Sequence, residues 1–143
     1  MEHRILIADD DLAVRQGAAE LLVSLGLEVV EAEDGGTALA LVQAEFAAAR
    51  PLHLALVDVH MPGPVGASAA GYSARDGGLA LLDALRDAAP KLPCILWSAA
   101  ASDAVADWAL RAGASAFLRK PVAPRLLRET VRGVLEAHWN RAG

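Results

Sequence analysis

Lysine and cysteine are nearly absent from this chain of 143 residues. A single cysteine, Cys94, excludes an internal disulfide. Its apolar neighbours predict a buried structural thiol in a reducing compartment. No uninterrupted apolar run is long enough to span a bilayer. The N-terminus enters a short strand pattern directly, without the apolar core and small-residue cleavage site of a signal peptide, so a cytoplasmic location with no membrane partner is expected. Positive charge is also scarce: 13 Lys and Arg stand against 18 Asp and Glu, for a net charge of −5 and a pI near 5.3. That balance argues against direct nucleic-acid binding, which needs clustered cations on phosphates. Only Lys91 and Lys120 are lysines; the other eleven cations are arginines. Lys120 therefore stands out.

What is present fits one globular domain over residues 1–143, with 55% hydrophobic and 22% charged residues and chain enough for a single core. Arg4 to Ala8 reads as a short buried strand closed by Asp9-Asp10-Asp11. Helical spacing follows through Val14, Ala18, Leu21, Leu22 and Leu25, with Gly26 as its stop. Leu27 to Ala32 reads as a second strand, Asp34-Gly35-Gly36 as a turn, and Thr37 to about Ala49 as a second helix. The apolar run Leu54 to Val57 predicts a strand buried on both faces, ending in Asp58 before Pro62 breaks the ladder. A loop rich in Gly and small residues then runs over about 63–77, well beyond the ordinary ~2–6 residue connection. A third helix near Gly78 to Ala89 carries Leu79, Leu82 and Leu85. A fourth strand, Cys94 to Trp97, ends at Ser98. A helix over Asp103 to Arg111, a strand over Ala114 to Leu118 and a last helix from about Pro124 complete the chain. Leu127, Val131, Val134, Leu135 and His138 line one side of that last helix.

Five strands alternating with five helices predict an α/β fold with a parallel sheet and helices on both faces. The flavodoxin-like doubly wound order 2-1-3-4-5 suits five strands and reverses direction between strands one and three. Asp9, Asp10 and Asp58 then converge on one crevice. Three close carboxylates repel unless a proton or cation intervenes, and all-oxygen ligation favours Mg²⁺ or Mn²⁺. Ser98 and Lys120 close strands four and five on the same edge. Each residue alone also has an ordinary reading: helix cap, turn cap or solvated cation. Together they describe a place to receive a phosphoryl group, with Asp58 as nucleophile.

Four segments resemble the receiver domain of bacterial two-component response regulators. They are Ile5 to Asp11, Val57 to Gly63, Trp97-Ser98-Ala99, and Gly113 to Pro121. The resemblance covers about Arg4 to His138. It implies a phosphoprotein switch rather than an enzyme, with at most slow self-dephosphorylation. Asp58 would be phosphorylated from a histidine kinase or phosphotransfer protein. Asp9, Asp10, Asp58 and the backbone carbonyl of His60 would hold the metal. Ser98, Lys120 and the backbone of Ala99 would bind the phosphoryl group. Ser98 and Phe117 would act as switch residues, although Phe117 also reads as an ordinary core aromatic. The Lys120-Pro121 bond would be cis. A downstream protein would meet the face of helix four, strand five and helix five, and a homodimer through that face is open to the family. Half-exposed Trp108 is a candidate contact there. Trp97 should point beneath the sheet edge, away from Ser98.

Two departures from the family pattern stand out. The loop after Pro62 is roughly a dozen residues too long, and shielding of the site, partner contact and a tolerated insertion all fit it. The positions that set phosphoryl lifetime hold His60 and Ala100, which leaves that lifetime unread. A degenerate receiver acting as a phosphorylation-independent interaction module is the alternative reading. A dehalogenase-like phosphotransferase is opposed by His60, where that group needs a second aspartate. The ending fits a stand-alone regulator and the N-terminal part of a longer protein equally.

Overall fold

Short aliphatic strands and alanine-rich helices alternate without exception along the chain. The computed structural model describes residues 3–68, 71–73, 76–99 and 102–139. Its strands are β1 (Arg4–Ala8), β2 (Glu28–Ala32), β3 (Leu54–Asp58), β4 (Cys94–Ser98) and β5 (Ala116–Arg119). Its helices are α1 (Leu12–Ser24), α2 (Gly35–Ala47), α3 (Gly77–Ala88), α4 (Asp103–Arg111) and α5 (Pro124–His138). All strand pairs are parallel, in the expected order β2-β1-β3-β4-β5. Every residue of β3 and of β4 is buried, because helices cover both faces of a sheet whose crossovers are all parallel.

Side chains alternate across the sheet. Leu6, Ala55, Val57 and Leu96 join α2, α3 and Ala109 of α4 in one core layer. Ile5, Ile7, Leu54, Leu56, Ile95 and Trp97 join α1 and α5 in the other. Cys94 lies in the first layer, where burial pushes its thiol up to about 12. It is an inert packing group, as its apolar neighbours predict.

Several element boundaries differ from expectation for local reasons. α2 starts at Gly35 rather than Thr37, because Asp34 caps it by accepting the Thr37 N–H at 2.7 Å. β5 starts at Ala116 rather than Ala114: the Ala114 N–H turns back to the Ala109 carbonyl after Gly113 adopts a φ of 108°. His138 is exposed instead of completing the apolar row of α5. Beyond the row, Trp139 is 37% exposed but folds back so that its Nε1 donates to the His53 carbonyl at 2.7 Å. His53 is itself buried, and its Nδ1 accepts the Arg4 N–H. The Arg4 guanidinium meanwhile pairs with Glu28 and Glu45. The lower edge of the sheet is thus cross-tied, and the upper edge is where its carboxylates gather.

Candidate functional site

β1 and β3 are neighbours whose following helices lie on opposite faces, and this divergence opens the crevice at their C-terminal ends. Asp9 follows β1 and is fully buried, Asp58 ends β3 and is 4% exposed, and Asp10 is exposed at the mouth. One oxygen from each of the three carboxylates lies within 4.8 Å of the other two. Lys120 reaches in from the end of β5, its Nζ 2.6 Å from Asp9 Oδ2 and 3.3 Å from Asp58 Oδ1. The ammonium also lies 4.7 Å from the centre of the Trp97 ring, which forms a floor beneath it. The Lys120-Pro121 peptide is cis.

Burial, and then the charge of Asp9, push the Asp58 carboxyl up to about 6, against the pull of Lys120 and of the His60 N–H. That N–H donates to Asp58 Oδ1 at 3.2 Å. A carboxylate that still resists ionisation beside an ammonium is under-compensated in positive charge. Three carboxylate oxygens fit a hard divalent cation such as Mg²⁺ or Mn²⁺.

Ser98, expected at this edge, is buried at the end of β4, and its carbonyl accepts the Lys120 N–H at 2.8 Å. Ala99 follows it and is exposed. Phe117 is partly buried against the α2–α4 layer, with the Arg119 guanidinium 5.7 Å from its ring centre. Ala100 lies outside the described residues. Asp11 does the capping work expected of it, accepting the Val14 N–H at 3.1 Å. Trp97 points into the α1–α5 layer, as the strand alternation requires. Trp108 is 39% exposed, as expected, and it borders a groove shared with Leu79 of α3. Its ring meets Tyr72 of the long loop edge-on, centres 6.4 Å apart.

Several residues of the site carried no sequence signal. Arg15 of α1 donates to the Asp9 carbonyl at 2.6 Å and pairs with Glu31, holding the acidic turn in place. Asp76, just before α3, brings Oδ1 to 3.9 Å from His60 Nδ1. Gly77 and Gly78 let the first turn of α3 lie directly on the Asp58 turn: a Cβ on Gly78 would overlap the Asp58 carbonyl, and one on Gly77 the Met61 carbonyl.

Residues 5–132 match the family model described as response regulator receiver domain. The transcriptional activator protein ExaE of Pseudomonas putida is 34% identical over 94% of this chain and 56% of its own length. The transcriptional regulatory protein CpxR of Escherichia coli K12 is 31% identical over 96% of this chain and 52% of its own. The chain therefore spans about half the length of the curated relatives it matches. Among solved structures, a CheY-like receiver domain protein from Methanospirillum hungatei superposes with a TM-score of 0.82 at 29% identity, covering 99% of this chain and all of that one. The receiver domain of NtrX from Brucella abortus gives 0.76 at 30% identity, covering 92% of this chain and 98% of that one.

Proposed function

The chain belongs to the response regulator receiver domain family, and on that premise we propose that residues 1–143 form one switch unit phosphorylated on Asp58. The donor is a histidine kinase or a phosphotransfer protein. The observation that carries this reading is the buried Asp58 carboxylate between Asp9 and the Lys120 ammonium at the sheet's reversal point.

An Asp58 oxygen attacks phosphorus, the bond from phosphorus to the donor imidazole breaks, and its electron pair leaves with the ring nitrogen. A divalent cation held by Asp9, Asp10, Asp58 and the His60 carbonyl would supply neutralising charge at the transferred oxygens. Lys120, already at the Asp58 carboxylate, needs only a small displacement to pair with the new phosphoryl group. The Ser98 hydroxyl and the Ala99 N–H are its other partners. A groove of about 620 Å³ between α1 and α5, lined by Val14, Leu21, Pro121 and Leu127 among others, opens beside Lys120 and suits the donor's approach.

Phosphorylation adds charge and acceptor oxygens at the end of β3, and the responding element is Ser98 at the end of the neighbouring β4, with Phe117 and α4. The output is a change in the α4–β5–α5 face, where a downstream protein or a second copy docks. The chain accepts and stores the phosphoryl group and does not turn over a substrate. Among the described residues, no helix is long and apolar enough to cross a membrane.

The test is a small phosphodonor with Mg²⁺, read by intact mass. Wild type gains one phosphoryl group and Asp58→Asn gains none. No gain in wild type, or an undiminished gain in the variant, overturns the reading.

A further inference from the structure

The long connection between β3 and α3 is the part of the chain that phosphoacceptor chemistry leaves without a task. Its two ends are fixed to the site. The Gly35 N–H donates to the Pro62 carbonyl at 2.7 Å where the loop departs, and the Gly78 N–H donates to the Val59 carbonyl at 3.0 Å where it returns. Its interior is also bonded: the Tyr72 N–H meets the Ala67 carbonyl at 3.0 Å, and Ser73 Oγ meets Asp76 Oδ2 at 3.0 Å. This geometry projects Tyr72 into the groove between α3 and α4. Its ring stands at 80° to Trp108 and lines that groove with Leu79 and Val105. Its hydroxyl bonds Asp83 on α3, and burial followed by the Asp83 charge holds its pKa above the ordinary tyrosine value.

α4 is the element with most to gain from such a contact. Ala109 is its one fully buried residue, and its N-cap Ser102 lies four positions beyond Ser98. A short helix so lightly buried is free to shift when the end of β4 changes. We propose that the loop is a latch, in which Tyr72 clasps Trp108 and ties the position of α4 to the turn that carries Asp58. The latch rests on the phosphoacceptor reading above. The latch holds α4 in an arrangement where the Lys120 ammonium is committed to the Asp9 and Asp58 carboxylates, at 2.6 and 3.3 Å. It therefore weighs on the side of the unmodified arrangement and must yield when α4 moves.

Two measurements on the full chain test the latch, with Tyr72→Ala and Trp108→Ala approaching the contact from its two sides. The first is amide hydrogen exchange without any phosphoryl group. Exchange in Asp103–Arg111 should quicken about three- to tenfold in each variant, the range an aromatic pair of this kind supports. Exchange in Leu54–Asp58 should stay at the wild-type rate and so report an intact fold. The second is fluoroberyllate binding with Mg²⁺, which should tighten by a similar factor, with the double variant no tighter than either single one. Unchanged exchange in α4, or fluoroberyllate affinity within about twofold of wild type, overturns the latch. Wild type that fails to bind fluoroberyllate overturns the phosphoacceptor reading instead, and α4 exchange then decides the Tyr72 restraint alone.

Discussion

Lys120 and Asp9 are 111 residues apart in sequence, and Nζ of one donates to Oδ2 of the other across 2.6 Å. The same ammonium is 3.3 Å from Asp58, so its charge is committed first to the acid that would hold metal and second to the acid that would accept phosphorus. Lys120→Met removes that counter-charge from a buried pair of carboxylates. The Asp58 carboxyl should then titrate above its present value of about 6, read from its ¹³C shift across pH. Lys120→Arg should not restore wild-type behaviour, because a planar fork cannot reproduce a compact ammonium in that space.

The raised Asp58 value has a signed consequence for stability. In the folded chain the group protonates near 6, against 3.8 in the ordinary state. Between those values the folded state holds a proton that the unfolded state has lost, so metal-free stability falls as pH rises from about 4 to about 6. The full loss is on the order of 2–3 kcal/mol. Urea melts in chelator across this window should show the slope in wild type. Asp58→Asn should flatten it and be the more stable protein at neutral pH.

Metal binding should separate the exposed acid from the buried ones. Asp10→Asn would remove the one exposed carboxylate of the three proposed to hold the metal, at the mouth of the crevice. Its Mg²⁺ affinity should fall by about tenfold or more, while metal-free stability moves by less than ~0.5 kcal/mol. Asp9→Asn should weaken Mg²⁺ binding and also cost stability, since it strips the closest partner from Lys120. Calorimetric titration and thermal melts distinguish the two patterns.

The glycine pair at the start of α3 should tolerate nothing larger. A Cβ at Gly77 or Gly78 meets backbone carbonyls, which cannot swing aside. Alanine at either position should cost more than about 3 kcal/mol or prevent folding. At Gly17, in mid-α1, an added Cβ would meet nothing within 4 Å. Gly17→Ala should therefore stabilise by about 0.5–1 kcal/mol. Equal behaviour of the two sites in denaturant melts would contradict the close approach.

The acids and Lys120 were legible because a doubly wound sheet assigns strand C-termini to one edge whatever the loops do. Asp9, Asp58, Ser98 and Lys120 each end a strand or follow one directly, so their convergence needs only strand order. Features that depend on a partner from another element were not legible. Arg15 reads as one more charge on a helix until the acidic turn folds over it. Trp108 reads as an outward aromatic because nothing in α4 reveals that Tyr72, in a loop without periodicity, will meet its ring. His138 fits the spacing of its row, but the helix overruns the layer beneath it and Trp139 folds back onto His53 instead. Gly77 and Gly78 read only as the end of a loop and the start of a helix, although their absent side chains are what bring α3 against the Asp58 turn.

That close approach sets the terms on which the chain can be lengthened. A Cβ on Gly63 would already lie 3.1 Å from the Gly77 Cα, so the scaffold itself joins the two ends of the loop. Closing a ring whose ends are already adjacent costs little more for about fourteen residues than for about four, since the penalty grows only with the logarithm of length. The connection therefore behaves as an insertion port beside the Asp58 carboxylate. Its length is a nearly free variable, and new contacts can be added there without redesign of the crevice next to it.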